Sequence, residues 1–60
     1  MRIETIDKGT QERDDITEAE AKDRLEPNYF IEGTIDNIIK KNEKCVLDSG
    51  FFYYHFTPIS

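Results

Sequence analysis

Phe51, Phe52, Tyr53, Tyr54 and Phe56 fall within six consecutive positions, with His55 between them. A β-strand sends alternate side chains to opposite faces. No register therefore hides all five rings in the core of a 60-residue chain, and at least two must meet solvent or a partner. The chemistry of such a row is apolar contact, ring stacking and hydrogen bonding through the tyrosine hydroxyls. That is the chemistry of recognition. His55 is the only histidine, and no Ser or Cys stands at a spacing that suggests nucleophilic catalysis. It reads as a surface histidine able to hydrogen-bond a partner or make a pH-sensitive contact.

The remaining reactive side chains give no catalytic constellation. Cys45 is the single cysteine, so an internal disulfide is excluded, and its neighbours do not form a metal-ligand pattern. It reads as a small buried hydrophobe. Asp14, Asp15 and Glu18 lack the spacing and glycine of an EF-hand loop. Paired carboxylates for general acid–base work need a cleft, and a domain this small has little. The reading is therefore a non-enzymatic protein with no cofactor, no metal and no catalytic residue.

Charge is unevenly placed. Residues 1–32 hold ten acids and five bases, while residues 33–60 hold three of each, so the N-terminal half carries the whole net charge of −5. An acidic chain repels phosphates, which disfavours ordinary nucleic-acid binding and favours a partner with a basic surface. Asp14, Asp15, Glu18, Asp23 and Glu26 are the residues placed to steer such a partner. Rows of carboxylates can also imitate DNA phosphates, which makes a DNA-mimic decoy an alternative; Lys22 and Arg24 interrupt the row. No apolar stretch approaches the ~20 residues of a membrane span, and no apolar signal segment opens the chain. An unpaired cysteine fits a reducing interior. The expected location is cytoplasmic.

The elements that must position the aromatic row follow from local pattern. Met1–Asp7 reads weakly as a strand, and the polar run 8–15 as a loop, so residues 1–15 are expected to be a flexible segment or an added edge strand. Thr17 followed by Glu20 makes a capping box. Ala19, Ala21, Lys22, Arg24 and Leu25 favour helix, and Pro27 ends it, giving a helix over 17–26. From Asn28 the spacing predicts an alternating strand. Tyr29, Ile31, Gly33, Ile35 and Ile39 share one face, and Phe30, Glu32, Thr34, Asp36 and Ile38 the other. A turn at 41–43 and a two-residue hairpin at Ser49-Gly50 complete a meander over 28–58. That hairpin pairs Leu47 with Phe52, Val46 with Tyr53 and Cys45 with Tyr54. Ile31, Ile35, Ile39, Cys45, Leu47, Phe52, Tyr54 and Phe56 then face the core, while Phe30, Ile38, Val46, Phe51, Tyr53 and His55 form an exposed patch.

Within this stretch, Gly33 and Ile35, then Val46 and Leu47, then Tyr53 and His55 fall at spacings that resemble the Sm-like barrel of bacterial Hfq proteins, in which a Gly-x-Ile strand leads through a Val-Leu strand to a Tyr-Lys-His motif. Tyr54 stands where that family has its lysine. The resemblance covers residues 33–57 and implies a ring-shaped oligomer that binds single-stranded RNA through stacked aromatics.

The expected fold is a single α+β mini-domain over residues 1–60: a short helix on an antiparallel β-meander of three strands, with a fourth available from the N-terminus, SH3-like or open-sheet in form. The expected function is that of a small acidic protein-binding module. It would regulate or inhibit a larger protein, in the general character of small phage-encoded inhibitors of host proteins. Phe51, Tyr53, His55, Phe30 and Ile38 are the expected contact residues. Sm-like RNA binding and DNA mimicry are the alternatives. A chain of 60 residues with no internal disulfide has little else to support it than a second copy, so a homodimer is also expected.

Overall fold

Two β-hairpins, joined in sequence by a pair of helices, lie side by side in one antiparallel sheet. A computed structural model describes residues 1–59. The elements are β1 (Arg2–Asp7), β2 (Arg13–Ile16), α1 (Glu18–Leu25), α2 (Thr34–Lys41), β3 (Cys45–Asp48) and β4 (Phe52–Thr57). The sheet order is β2-β1-β4-β3, open at both edges. The fold is thus an α+β mini-domain, with four antiparallel strands and two helices among the described residues.

β1 is a central strand and takes no edge position. It pairs with β2 and β4, setting Ile3 beside both Ile16 and Phe56. Its isoleucines are three apart and so face opposite ways, which is why the strand period was weak in the sequence. Ile3 lies on the helix-covered face; Ile6 is buried on the other, opposite Tyr53 and Arg13. The run 8–15, expected as a loop, contains both a turn and the start of β2. Asp7 closes the turn by accepting from the Gly9 N–H at 2.7 Å and the Thr10 N–H at 3.0 Å. The polar residues of β2 suit an edge strand with little apolar surface to cover.

α1 begins where the capping residues place it. Thr17 Oγ1 accepts from the Glu20 N–H at 3.1 Å. Glu20's carboxylate instead takes Arg24 one turn later, also at 3.1 Å. Ala21 and Leu25, four apart, are buried against the sheet.

The segment 28–40 departs from the expected strand. Residues 34–41 are helix, and the reason lies in the isoleucine spacing. Ile31, Ile35 and Ile39 are four apart, a separation that satisfies a period of two and a helical turn equally well. Ile38 decides between them: it opposes Ile39 in a strand but shares its face in a helix, and both pack against the core here beside buried Ile35. Gly33 starts the helix with φ of 93°, a left-handed value open to glycine at little cost. Asn42 ends it in the same region, donating its N–H to the carbonyls of Ile38 and Ile39.

The last hairpin forms, but two residues out of the expected register. Cys45 pairs with Phe56, Val46 with His55, Leu47 with Tyr54 and Asp48 with Tyr53. Residues 49–51 make the connection, and the Ser49 N–H bonds the Phe52 carbonyl at 3.0 Å across a turn at Gly50-Phe51. A shift by two preserves which side chains face inward. Ile3, Ala21, Leu25, Ile35, Tyr54 and Phe56 form the buried core, with Phe30, Ile38, Ile39, Cys45, Leu47 and Phe52 packed around it.

Candidate functional site

The aromatic row divides three ways. Tyr54 and Phe56 are buried under the helices. Tyr53 and His55 point to the opposite, outer face. Phe51 sits in the turn before β4 and is 77% exposed, because Gly50 at φ 95° turns the chain ahead of it.

Phe51 forms one wall of the main candidate site. The segment after Pro27 runs past the same end of the sheet and brings Tyr29, 54% exposed, to an open cavity of about 400 Å³. Phe52 and Tyr54 also line this groove, with Arg24, Asn28 and Ser49. Its apolar surface is therefore aromatic, with Arg24 as a cationic donor and the Asn28 amide able both to donate and to accept. The Tyr54 hydroxyl, ahead of Glu20, holds the Arg24 guanidinium above its ordinary pKa, against a partial loss of solvent. Arg24 is thus a permanent cation beside exposed rings. Such a groove can seat an apolar or aromatic side chain while donating hydrogen bonds to a neighbouring carbonyl.

The outer face is a second surface, differently built. Tyr53 is 39% exposed, lies opposite Ile6 and Asp48, and carries the Lys8 ammonium 4.7 Å from its ring centroid. Lys8 also bridges to Asp48 at 2.6 Å. His55 is half-buried between Glu4 and Val46. Around these, Arg2 pairs with Asp15 and Glu4, and Arg13 with Glu4. Most charges on this face are already paired.

Two of the expected contact residues lie elsewhere. Phe30 and Ile38 are half-buried on the helix side, packed against the core. They do not join Tyr53 and His55, because the strand that would have carried them is a loop followed by a helix. Phe51, Tyr53 and His55 themselves split between the groove and the outer face.

The acidic residues are likewise separated. Asp14 and Asp15 lie on edge strand β2, with Asp15 on Arg2 at 3.0 Å. Glu18 is exposed in the first turn of α1. Asp23 borders a cavity of about 240 Å³ with Lys22, Glu26, Pro27 and Glu32. Glu26 is turned inward: its carboxylate accepts from the Gly33 N–H at 3.1 Å and the Ile35 N–H at 2.9 Å. It caps α2, which has no cap from its own N-cap side chain. Lys22 reaches across to Asp36 at 3.0 Å. An unbroken row of free carboxylates is not what this arrangement presents.

Among the described residues, no three His, Cys, Asp or Glu side chains gather closely enough to hold a metal ion, and no helix is long and apolar enough to cross a membrane. The residues needed for the Sm-like resemblance are not arranged as that barrel requires. Gly33 and Ile35 begin a helix, and the sheet is open.

An alternating strand from Asn28 hides Asn28 and Tyr29 as groove residues, and Arg24, on the helix, gains its groove role only from where the chain runs after Pro27. The signal present was Pro27-Asn28 directly after a helix, a combination that favours a change of direction. No family model, curated protein or solved structure matches the chain.

Proposed function

We propose that this chain is a non-enzymatic protein-binding module that regulates or inhibits a larger protein through the aromatic groove. The observation that carries the reading is the pair of rings, Tyr29 and Phe51, left exposed on one groove beside Arg24. Exposed aromatics at the rim of a concavity are the residues that anchor interfaces. The occupant that fits is an extended peptide segment inserting an apolar side chain between the rings, with its backbone carbonyls facing Arg24 and Asn28. Basic residues around that segment would meet the acidic surface, and the net charge of −5 would speed their encounter. A cytoplasmic location goes with this role.

The test is capture from lysate of the source cell, followed by binding kinetics on the captured protein. Phe51→Ala and Tyr29→Ala should each weaken binding by about 30-fold or more, the effect of losing a hot-spot ring. Added salt should lower the on-rate and leave the off-rate nearly unchanged. Recovery of the same proteins in the same amounts by both folded variants and the wild type would remove the groove as the binding site.

A further inference from the structure

We propose that the open edge of β3 pairs with β3 of a second copy, antiparallel and centred on Val46, extending two four-stranded sheets into one of eight strands. This pairing uses a different surface from the groove and does not depend on it.

β3 ends the sheet, so one side of its backbone has no strand partner among the described residues. Hydrogen-bond phase shows which residues face that side. In an antiparallel ladder, opposed residues alternate between bonded and non-bonded pairs. Ser49 and Phe52 are a bonded pair, so Leu47 with Tyr54 and Cys45 with Phe56 are bonded as well. The N–H and C=O groups of Val46 and Asp48 therefore point away from β4, along the open edge, and Lys44 directly precedes the strand in the same alternation. The Val46 and Asp48 side chains share the outer face, where Val46 is 50% exposed and Asp48 is exposed too; Lys44, at the mouth of the strand, is also exposed.

The sequence of this edge, Lys44-Cys45-Val46-Leu47-Asp48, is complementary to itself when reversed. With Val46 opposite its own copy, each Lys44 faces the second copy's Asp48, and each Cys45 faces the second copy's Leu47. The two Val46 residues then exchange two hydrogen bonds, and drawing Lys44 into the strand adds two more with each Asp48, about six across the join. Asp48 is suited to the pair: Lys8 and the Gly50 N–H both use Oδ1, and Oδ2 carries neither. Antiparallel pairing keeps opposed side chains on one face, so the two helix layers stay together and Val46, Tyr53 and His55 become part of one continuous surface.

The other edge matches itself less well. Centred on Asp14, β2 opposes Arg13 to the second copy's Asp15, groups already held by Glu4 and Arg2, and sets the two Asp14 carboxylates against each other, while centring on Asp15 opposes two Asp15 carboxylates. Charge blunts β2 as exposed edges are usually blunted; β3 has its charges only where its own copy complements them.

The test reads the wild-type chain first. Amide hydrogen exchange by NMR from about 20 µM to about 1 mM, with sedimentation over the same range, should show a dimer growing with concentration. Protection of the Lys44, Val46 and Asp48 amides should rise about tenfold or more. Leu47, already bonded to Tyr54, should change little. Lys44→Asp and Asp48→Lys should each remain monomeric alone, facing like charges, and an equimolar mixture should dimerise because both opposed pairs are restored. Phe51→Ala should leave dimerisation intact. A monomer at about 1 mM, or a dimer in which Val46 protection does not change, overturns the proposal.

Discussion

Asp48 meets three demands with one carboxylate. It accepts from Gly50 to shape the turn, bridges to Lys8, and through Lys8 holds a cation over the Tyr53 ring. Lys8 first, then Gly50, keeps its pKa below the ordinary 3.8. A folded-state pKa below the unfolded one adds stability above the ordinary carboxylate range and loses it as pH falls through the folded value. Asn at this position keeps an oxygen for Gly50 and gives up the charge. Asp48→Asn should therefore unfold at lower urea than wild type near neutral pH, with the two midpoints converging below the ordinary carboxylate range. Midpoints measured from about pH 2 to pH 7 check this; a constant offset across that range would mean that the Lys8 bridge contributes nothing. Residue by residue, Phe51 and Tyr53 were legible in the sequence because crowding alone forces rings outward. Tyr53 is less free than its sequence position implied, since it lies against Ile6 and under Lys8, and no local pattern announces a contact between residues 45 positions apart.

At the scale of elements, what could be read was whatever is encoded locally. The Thr17 cap, the stop at Pro27 and the glycine turn before β4 depend on neighbours in sequence, and each stands where its residues put it. The strand assigned to 28–40 failed because isoleucines four apart fit two periods, and the choice between them is made by the surface the segment lies on. The hairpin register slipped for a related reason. Two-residue turns at Ser49-Gly50 and at Gly50-Phe51 bury the same faces, so the apolar pattern cannot separate them; Asp48 and Ser49 settle it, by accepting from Gly50 and by bonding Phe52. α2 also owes its start to a group that no helix rule would locate. Glu26, seven residues before Gly33, supplies the acceptor for two amides at the helix N-terminus. An uncapped end leaves such donors without partners. Glu26→Ala should lower the unfolding free energy by about 1–2 kcal/mol, and Glu26→Gln should recover part of that through its single remaining carbonyl oxygen. Urea titration gives the loss, and amide exchange at Gly33 and Ile35 shows whether it is localised to α2; equal protection in all three proteins would mean that the carboxylate does not cap the helix.

For the whole molecule, size sets how much any of these effects matters. A 60-residue chain is stable by about 3–9 kcal/mol on the usual scale per residue. Its core is a single layer between one sheet face and two short helices, built around Phe56, Ile3, Leu25 and Ile35, which are fully buried. Phe56 lies beside both Ile3 and Cys45 across its two neighbouring strands, so truncating it opens a void at the junction of the two hairpins. Replacing a buried Phe by Ala costs about 3–5 kcal/mol, comparable to the whole margin. Phe56→Ala should therefore be largely unfolded at room temperature, whereas Ile31→Ala, at an exposed loop position, should stay within about 0.5 kcal/mol of wild type. NMR dispersion and a urea titration of each variant distinguish the two. The same arithmetic governs partners. A monomer this marginal gains about 2.7 kcal/mol from a ligand held at a hundred times its dissociation constant, which is a large fraction of its own stability. Binding, whether of a peptide in the groove or of a second copy along β3, should consequently raise the melting temperature of this chain more visibly than it would for a larger domain. A Phe56→Ala chain that regains its dispersed spectrum only when such a partner is present would place the source of foldedness in the complex; one that stays dispersed alone would show that the core tolerates the void and that the margin is wider than its size implies.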